Sequence, residues 1–323
     1  MEVADGPPVR FAQRISERYF LKPPVDVRAM LERYADVVDA AIPIPGVDGV
    51  CLDLKVPGKR PRVVINSSNP PNRVRFTEAH ELGHIVIPWH RGTIVDFLDL
   101  ELVGEKGDYW VFEQEANQFA AELLMPSLWM AKLLTSTKDL STCHRRVCER
   151  CEVSPLAASR RLEPLLPPNI VFVSEKGGKV EFSGRTTGTH ASTPAWGSTF
   201  DHKSFQYAAS HSVSTFGNRE LHWWVLPDDI TGEAKDARPW REILDAIVED
   251  LNVEVDERPR FKKSVNGVLA AANSAVKQRG SHTTSAVIAA CVQRFHDRSD
   301  LFGIADHPSF MDFVIKRATE LTR

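Results

Sequence analysis

The sequence predicts an α+β chain in two parts: a first part built around one buried helix, and a smaller second part that mixes strands with helices. Three observations carry that reading. Two strand-like runs lead into residues 75–87, a helical segment that is apolar or small on most of its faces. A second strong helical segment, about 110–125, ends on Met125-Pro126. From Pro167-Pro168 the pattern changes to short strands and then to four further helical stretches.

Taken in order, residues 9–41 read as helical, with Phe11, Ile15, Tyr19, Phe20, Val27, Met30, Leu31, Tyr34, Val37 and Val38 as the apolar positions and Pro23-Pro24 as the break. The strand-like runs are Gly49-Val50-Cys51-Leu52-Asp53-Leu54 and Pro61-Arg62-Val63-Val64-Ile65-Asn66, joined by a turn at Pro57-Gly58-Lys59. Residues 127–166 are helical, basic and compact. Beyond them, Ile170-Val171-Phe172-Val173 and Lys179-Val180-Glu181-Phe182 flank Gly177-Gly178, a hairpin signal. Residues 183–222 have no clear period, Leu221–Leu226 looks like a strand, and helices are expected at 239–252, 262–278, 283–296 and 308–322.

At 323 residues the chain can bury a large core, and two domains are the expectation. A net charge of −3 gives no global nucleic-acid signature. No apolar run reaches the length of a membrane span, so no membrane partner is expected. The opening Met1-Glu2-Val3-Ala4-Asp5-Gly6-Pro7-Pro8 has neither a basic start nor an apolar core and reads as no signal peptide. Five cysteines, an odd count without disulfide-framework spacing, suit a reducing compartment, and a cytoplasmic location is expected.

The chemistry is concentrated in His80-Glu81-Leu82-Gly83-His84. Histidines four apart lie one turn above each other on a helix, so both imidazoles can reach one metal ion. Glu81 stands beside them, placed to act on water rather than to bind the metal. A buried carboxylate between two histidines is costly without a counter-charge, and a divalent cation supplies one. A catalytic zinc takes three protein ligands, so a third is needed. Glu113 and Glu115 are the first candidates. Glu113 is favoured because Asn117, four residues on, can hold a ligand histidine through its other nitrogen, whereas Glu115 points to the opposite side of the helix, toward solvent or a partner chain. His90, six residues after His84, is the rival, but Ile87 stands where the corresponding spacing requires a turn-forming glycine, and a place on the rim suits His90 better. With zinc in place, Glu81 would take a proton from water and return it to a leaving amine, while Tyr109 or His90 could donate to the oxyanion.

These blocks, with Val64-Ile65-Asn66, Arg75-Phe76-Thr77-Glu78-Ala79-His80-Glu81-Leu82-Gly83-His84 and Glu113-Gln114-Glu115-Ala116-Asn117-Gln118-Phe119-Ala120-Ala121-Glu122-Leu123-Leu124-Met125-Pro126, resemble the ImmA/IrrE family of zinc metallopeptidases over about residues 10–166. The resemblance implies a zincin-like metallopeptidase core at 1–126, a helix-turn-helix-like segment at 127–166 and a smaller α+β sensor-like domain at 167–323. It also implies His80, His84 and Glu113 as ligands to one zinc ion, with Glu81 catalytic. The implied substrate is a helix-turn-helix transcriptional repressor, whose cleavage derepresses a stress, mobile-element or phage-defence operon. The Pro88-Trp89 insertion before His90 departs from the family pattern.

Other signals are weaker. Cys148-x-x-Cys151, with Cys143 and His144 upstream, has the spacing of a second metal site, although buried free cysteines are common. Cys51 could approach the zinc as an inhibitory thiolate. Ser154 is a reasonable N-cap for a second helix in the helix-turn-helix-like segment, and a DNA-reading role would use Ser159, Arg160 and Arg161, although a packing role is favoured. Arg258, Arg260, Lys262, Lys263, Lys277 and Arg279, with no acid between them and with Phe261, Trp223 and Trp224 in the same half of the chain, point to single-stranded DNA as an activating signal, a small molecule being the second possibility. The competing functional class is a non-enzymatic DNA-binding regulator with a structural or vestigial metal site.

Overall fold

In a computed structural model, which describes residues 6–97, 108–280, 282–296, 298–301 and 303–323, the first helices follow from the local sequence. Pro7 and Pro8 open helix α1 (Pro7–Arg18), which buries Val9, Ala12 and Ile15. Asp26 caps α2 (Val27–Tyr34), accepting from the amide of Ala29 at 3.0 Å. The expected helix does not continue to residue 41. Asp36–Ala40 form strand β1, which carries the β-branched pair Val37-Val38 and pairs in parallel with β3 (Arg62–Asn66). β2 (Val47–Leu54) lies antiparallel to β3 on one side and to β4 (Gly92–Phe97) on the other, giving the order β1-β3-β2-β4. β4 has no counterpart among the expected elements.

The motif helix α3 (Pro71–Val86) starts at a Pro70-Pro71 pair and stops at Ile87, whose backbone turns extended ahead of Pro88. It packs on β2 and on α4 (Asp108–Leu124). Gly83 makes the close helix–helix approach possible. A methyl group at that position would meet Phe119 at 3.1 Å and the backbone of Ala116 at 3.3 Å. α5 (Ser127–Ser136), α6 (Leu140–Cys151) and α7 (Pro155–Leu162) follow. Ser154 caps α7 as expected, accepting from Ala157 N at 3.2 Å. Arg161 on α7 turns inward to the buried Glu122 of α4, donates to Ser127 Oγ at 2.7 Å and to Met125 O at 3.1 Å, and so ties the helical segment to the core. Ser159 is fully buried. Neither side chain is free to read a DNA groove.

The chain divides into two units, Met1–Leu165 and Leu166–Arg323. The second contains a four-stranded antiparallel sheet, β6-β5-β8-β7. β5 (Ile170–Lys176) and β6 (Lys179–Arg185) form the expected hairpin, with Gly177 and Gly178 at φ +59° and +74° as a two-residue turn requires. β7 (Ser210–Phe216), in the region without period, is a largely exposed edge strand beside β8 (Arg219–Val225). Helices α8 (Trp240–Asp250), α9 (Arg258–Gln278), α10 (Thr284–His296) and α11 (Phe310–Leu321) enclose an apolar cluster that includes Ile243, Leu269, Ile288 and Phe313. Among the described residues, no helix is long and apolar enough to cross a membrane.

Candidate metal centre

α3 places His80 and His84 on one face, one turn apart, and α4 brings Glu113 against them. His80 Nε2 lies 3.1 Å from Glu113 Oε2, His84 Nε2 lies 3.5 Å from Glu113 Oε1, and the two Nε2 atoms are 2.9 Å apart. All three side chains are buried. Among the described residues this is the only group of three or more metal-ligating side chains close enough to share an ion.

The outer nitrogen of each imidazole is held. His80 Nδ1 is 3.0 Å from Asn117 Oδ1, an acceptor, so Nδ1 carries the proton and the Nε2 lone pair faces His84. His84 Nδ1 is 2.8 Å from His90 Nδ1, and His90 Nε2 is 2.9 Å from Glu115 Oε2. Burial keeps His90 neutral, so it donates to Glu115 through Nε2 and accepts from His84 through Nδ1. The second Nε2 lone pair therefore also faces inward. Two lone pairs 2.9 Å apart repel unless a proton or a cation lies between them.

The carboxylates make the same demand. Neither oxygen of Glu81, a fully buried residue, accepts a hydrogen bond among the described residues, nor does Glu113 Oε1. Burial drives Glu81 up to about 8, with His80 opposing and the charge of Asp96 adding to the rise. Burial also works against ionisation of Glu113, but the two imidazoles outweigh it and hold that carboxyl well below the usual range. Burial lowers His84, while at His80 the charges of Asp96 and Glu113 overcome burial and raise it. Three carboxylates around two inward-facing imidazoles, in a buried pocket, suit a divalent cation held by His80, His84 and Glu113.

Three residues at the centre escaped sequence reasoning. Asp96, on the unanticipated β4, has its carboxylate 4.0 Å from His80 Nε2. Gly49, on β2, lies under Glu81; a Cβ there would sit 2.1 Å from Oε1, so only glycine leaves room for the carboxylate. Lys55 donates to the carbonyl of His84 at 2.5 Å. The signal for Gly49 was an isolated glycine inside a strand, a mark of close approach.

Residues 33–163 match the family described as IrrE N-terminal-like domain. A radiation response metalloprotease IrrE from Deinococcus deserti is 28% identical over 164 residues, which are 45% of this chain and 58% of that protein. One from Deinococcus radiodurans is 31% identical over 117 residues, 36% of this chain and 35% of that protein. Residues 33–163 of the first unit are thus similar to the ImmA/IrrE family. This bears out the resemblance read from the motif blocks, and it assigns a zincin-like fold to the matched segment. The chain spans little more than half the length of the first relative and about a third of the second. A solved Mycobacterium tuberculosis transcriptional regulator aligns at a TM-score of 0.40 and 15% identity, covering 67% of this chain and 74% of its own, too distant to carry an argument.

Within this first unit, two expectations need correction. His90 is neither a ligand nor a rim residue. The Pro88-Trp89 turn folds it back until it is fully buried behind His84, out of reach of an oxyanion. Glu115 does not face solvent or a partner chain but accepts from His90 and, at 2.6 Å, from Trp89 Nε1. Tyr109 is half-buried, and both burial and the charge of Glu113 push its phenol upward, so it stays a neutral donor beside the site. Cys51 is buried, with Sγ 3.7 Å from the carbonyl of Glu81. Cys143, Cys148 and Cys151 are buried but form no metal-ligating group with His144, whose Nε2 meets Pro155 O at 2.9 Å.

In the second unit Trp223 and Trp224 are 1% and 3% exposed, and Phe261 packs on the helical core, so they give no stacking platform for bases. Lys262 pairs with Asp245 at 2.6 Å and Arg258 donates to Val253 O, leaving Arg260, Lys263, Lys277 and Arg279 exposed.

Proposed function

We propose that this chain is a zinc-dependent endopeptidase that cleaves a helix-turn-helix transcriptional repressor and thereby derepresses a stress, mobile-element or phage-defence operon. One observation carries the peptidase reading. A carboxylate with neither oxygen hydrogen-bonded among the described residues is buried beside three convergent ligands, which a purely structural metal site does not need. Zinc bound by His80, His84 and Glu113 would acidify water and polarise a peptide carbonyl. Glu81, fully buried next to His80 in the motif helix, would accept a proton from the attacking water and pass it to the departing amine. Asn117, and His90 backed by Glu115, fix both imidazoles with Nε2 inward. Tyr109 is the group placed to donate toward developing negative charge. The names of the Deinococcus relatives support a regulatory role. The proposed setting is the cytoplasm. A single-stranded DNA activator keeps electrostatic support from Arg260, Lys263, Lys277 and Arg279 but has lost its aromatic half.

The test is incubation of the full chain and of Glu81→Gln, both zinc-loaded, with the repressor encoded beside it, with and without single-stranded DNA. Cleavage by the wild type alone is expected. An intact repressor in every arm, with zinc bound to both proteins, would overturn the reading in favour of a non-enzymatic DNA-binding regulator.

A further inference from the structure

The second unit carries a partly open cavity of about 460 Å³ that no part of the metal centre explains. Three buried polar atoms in its wall have unmet hydrogen-bonding capacity among the described residues: Asn169 Oδ1, Gln293 Oε1 and His190 Nε2. The chemistry of each is fixed by its other end. Asn169, 4% exposed, gives its amide hydrogens to Asp228 Oδ1 at 2.5 Å, and Gln293, 1% exposed, gives its own to Pro227 O at 3.2 Å. Both remaining oxygens are therefore acceptors without donors. His190 Nδ1 faces Arg294 Nη2 at 3.2 Å, and a guanidinium only donates, so the ring proton lies on Nε2. The wall thus offers two buried acceptors and one buried donor.

Ala286, Ala289 and Ala290, at i, i+3 and i+4 on α10, share one face and give the cavity a wall of methyl groups, while Asp228, Asp229 and Arg279 line it elsewhere. The volume lies within the range of small-molecule sites and far exceeds that of a single water.

We propose that this cavity is a binding site for a planar nitrogen heterocycle of the nucleobase class, lying over the three alanines, with N–H groups to Asn169 and Gln293 and a ring or carbonyl acceptor to His190. With their N–H groups already engaged, the two carboxamides present oxygens that accept from ring or exocyclic N–H groups of a base edge. An α-amino acid would satisfy the polar atoms but would leave the alanine face uncovered by a ring. The site stands independently of the peptidase reading.

The test is calorimetric titration of the full chain with adenine, guanine, cytosine and their nucleosides, with a set of amino acids as controls. At least one base or nucleoside should bind. Ala286→Leu, which crowds the alanine face from its half-buried edge, and Gln293→Leu should each weaken that binding roughly tenfold or more while circular dichroism stays native. If Gln293→Leu does not fold, Ala286→Leu decides alone. Three results would each overturn the proposal: no binding by any base or nucleoside at millimolar concentration, binding that the folded variants leave unchanged, or binding of amino acids alone.

Discussion

Gly49→Ala probes the contact that sets the catalytic carboxylate. The added methyl group would lie 2.1 Å from Glu81 Oε1, 3.0 Å from Glu81 Cδ and 2.8 Å from Thr77 Cγ2. Unstrained contacts need about 3.5 Å, so the carboxylate must move by roughly 1 Å or more. The backbone cannot yield instead, because β2 is paired on both sides and covered by α3. Overpacking of this kind costs about 1–3 kcal/mol. The assay is denaturant unfolding of the wild type, Gly49→Ala, Glu81→Ala and the double variant. With Glu81 truncated only the Thr77 contact remains, so most of the cost should vanish and the two substitutions should couple by about 1–2 kcal/mol. Repressor cleavage by Gly49→Ala should fall roughly a hundredfold with metal content unchanged, since the misplaced group is not a ligand. Equal destabilisation by Gly49→Ala in both backgrounds would refute the reasoning.

Asn117→Ala and His90→Ala should each weaken zinc about 10–100-fold in competition with a chromogenic chelator, and unchanged affinity would remove these residues from the support of the site. Arg161→Met, which strands the buried Glu122, should destabilise the fold by about 3–5 kcal/mol, against less than about 0.5 kcal/mol for the exposed Arg160→Met; equal effects in denaturant melts would contradict the inward role of Arg161. Burial holds His144 at about 4, below its ordinary 6.5, so the unfolded chain binds the extra proton between those values. Stability should therefore fall by about 3 kcal/mol as pH drops from 6.5 to 4, and His144→Gln should flatten that part of the profile; an identical profile in the variant would contradict the assignment.

The metal centre was legible wherever one helix carries the information. The i, i+4 pair His80 and His84 and the i, i+4 pair Glu113 and Asn117 each declare a shared face from spacing alone, and the structure brings the two faces together. What sequence reasoning missed depends on contacts between elements. Asp96 reaches the site only because β4 pairs with β2, and nothing in Gly92–Phe97 announces that partner. His90 departs from its expected place on the rim because a Pro-Trp turn, not a helical continuation, decides where its ring goes. Glu115 meets His90 instead of solvent because a helical wheel gives a direction but not the neighbour found in it. In the second unit, charge and aromatic content suggested a nucleic-acid surface, yet Trp223 and Trp224 belong to β8, whose buried run includes both. Composition cannot tell a stacking ring from a core ring.

The most direct test of the central claim is anomalous diffraction at the zinc edge from crystals of the zinc-loaded chain. The account predicts one strong peak bonded to His80 Nε2, His84 Nε2 and the Glu113 carboxylate, with Glu81 nearby but not bonded. A peak that recruits His90 or Glu81 as a ligand, or one found only among Cys143, Cys148 and Cys151, would contradict it.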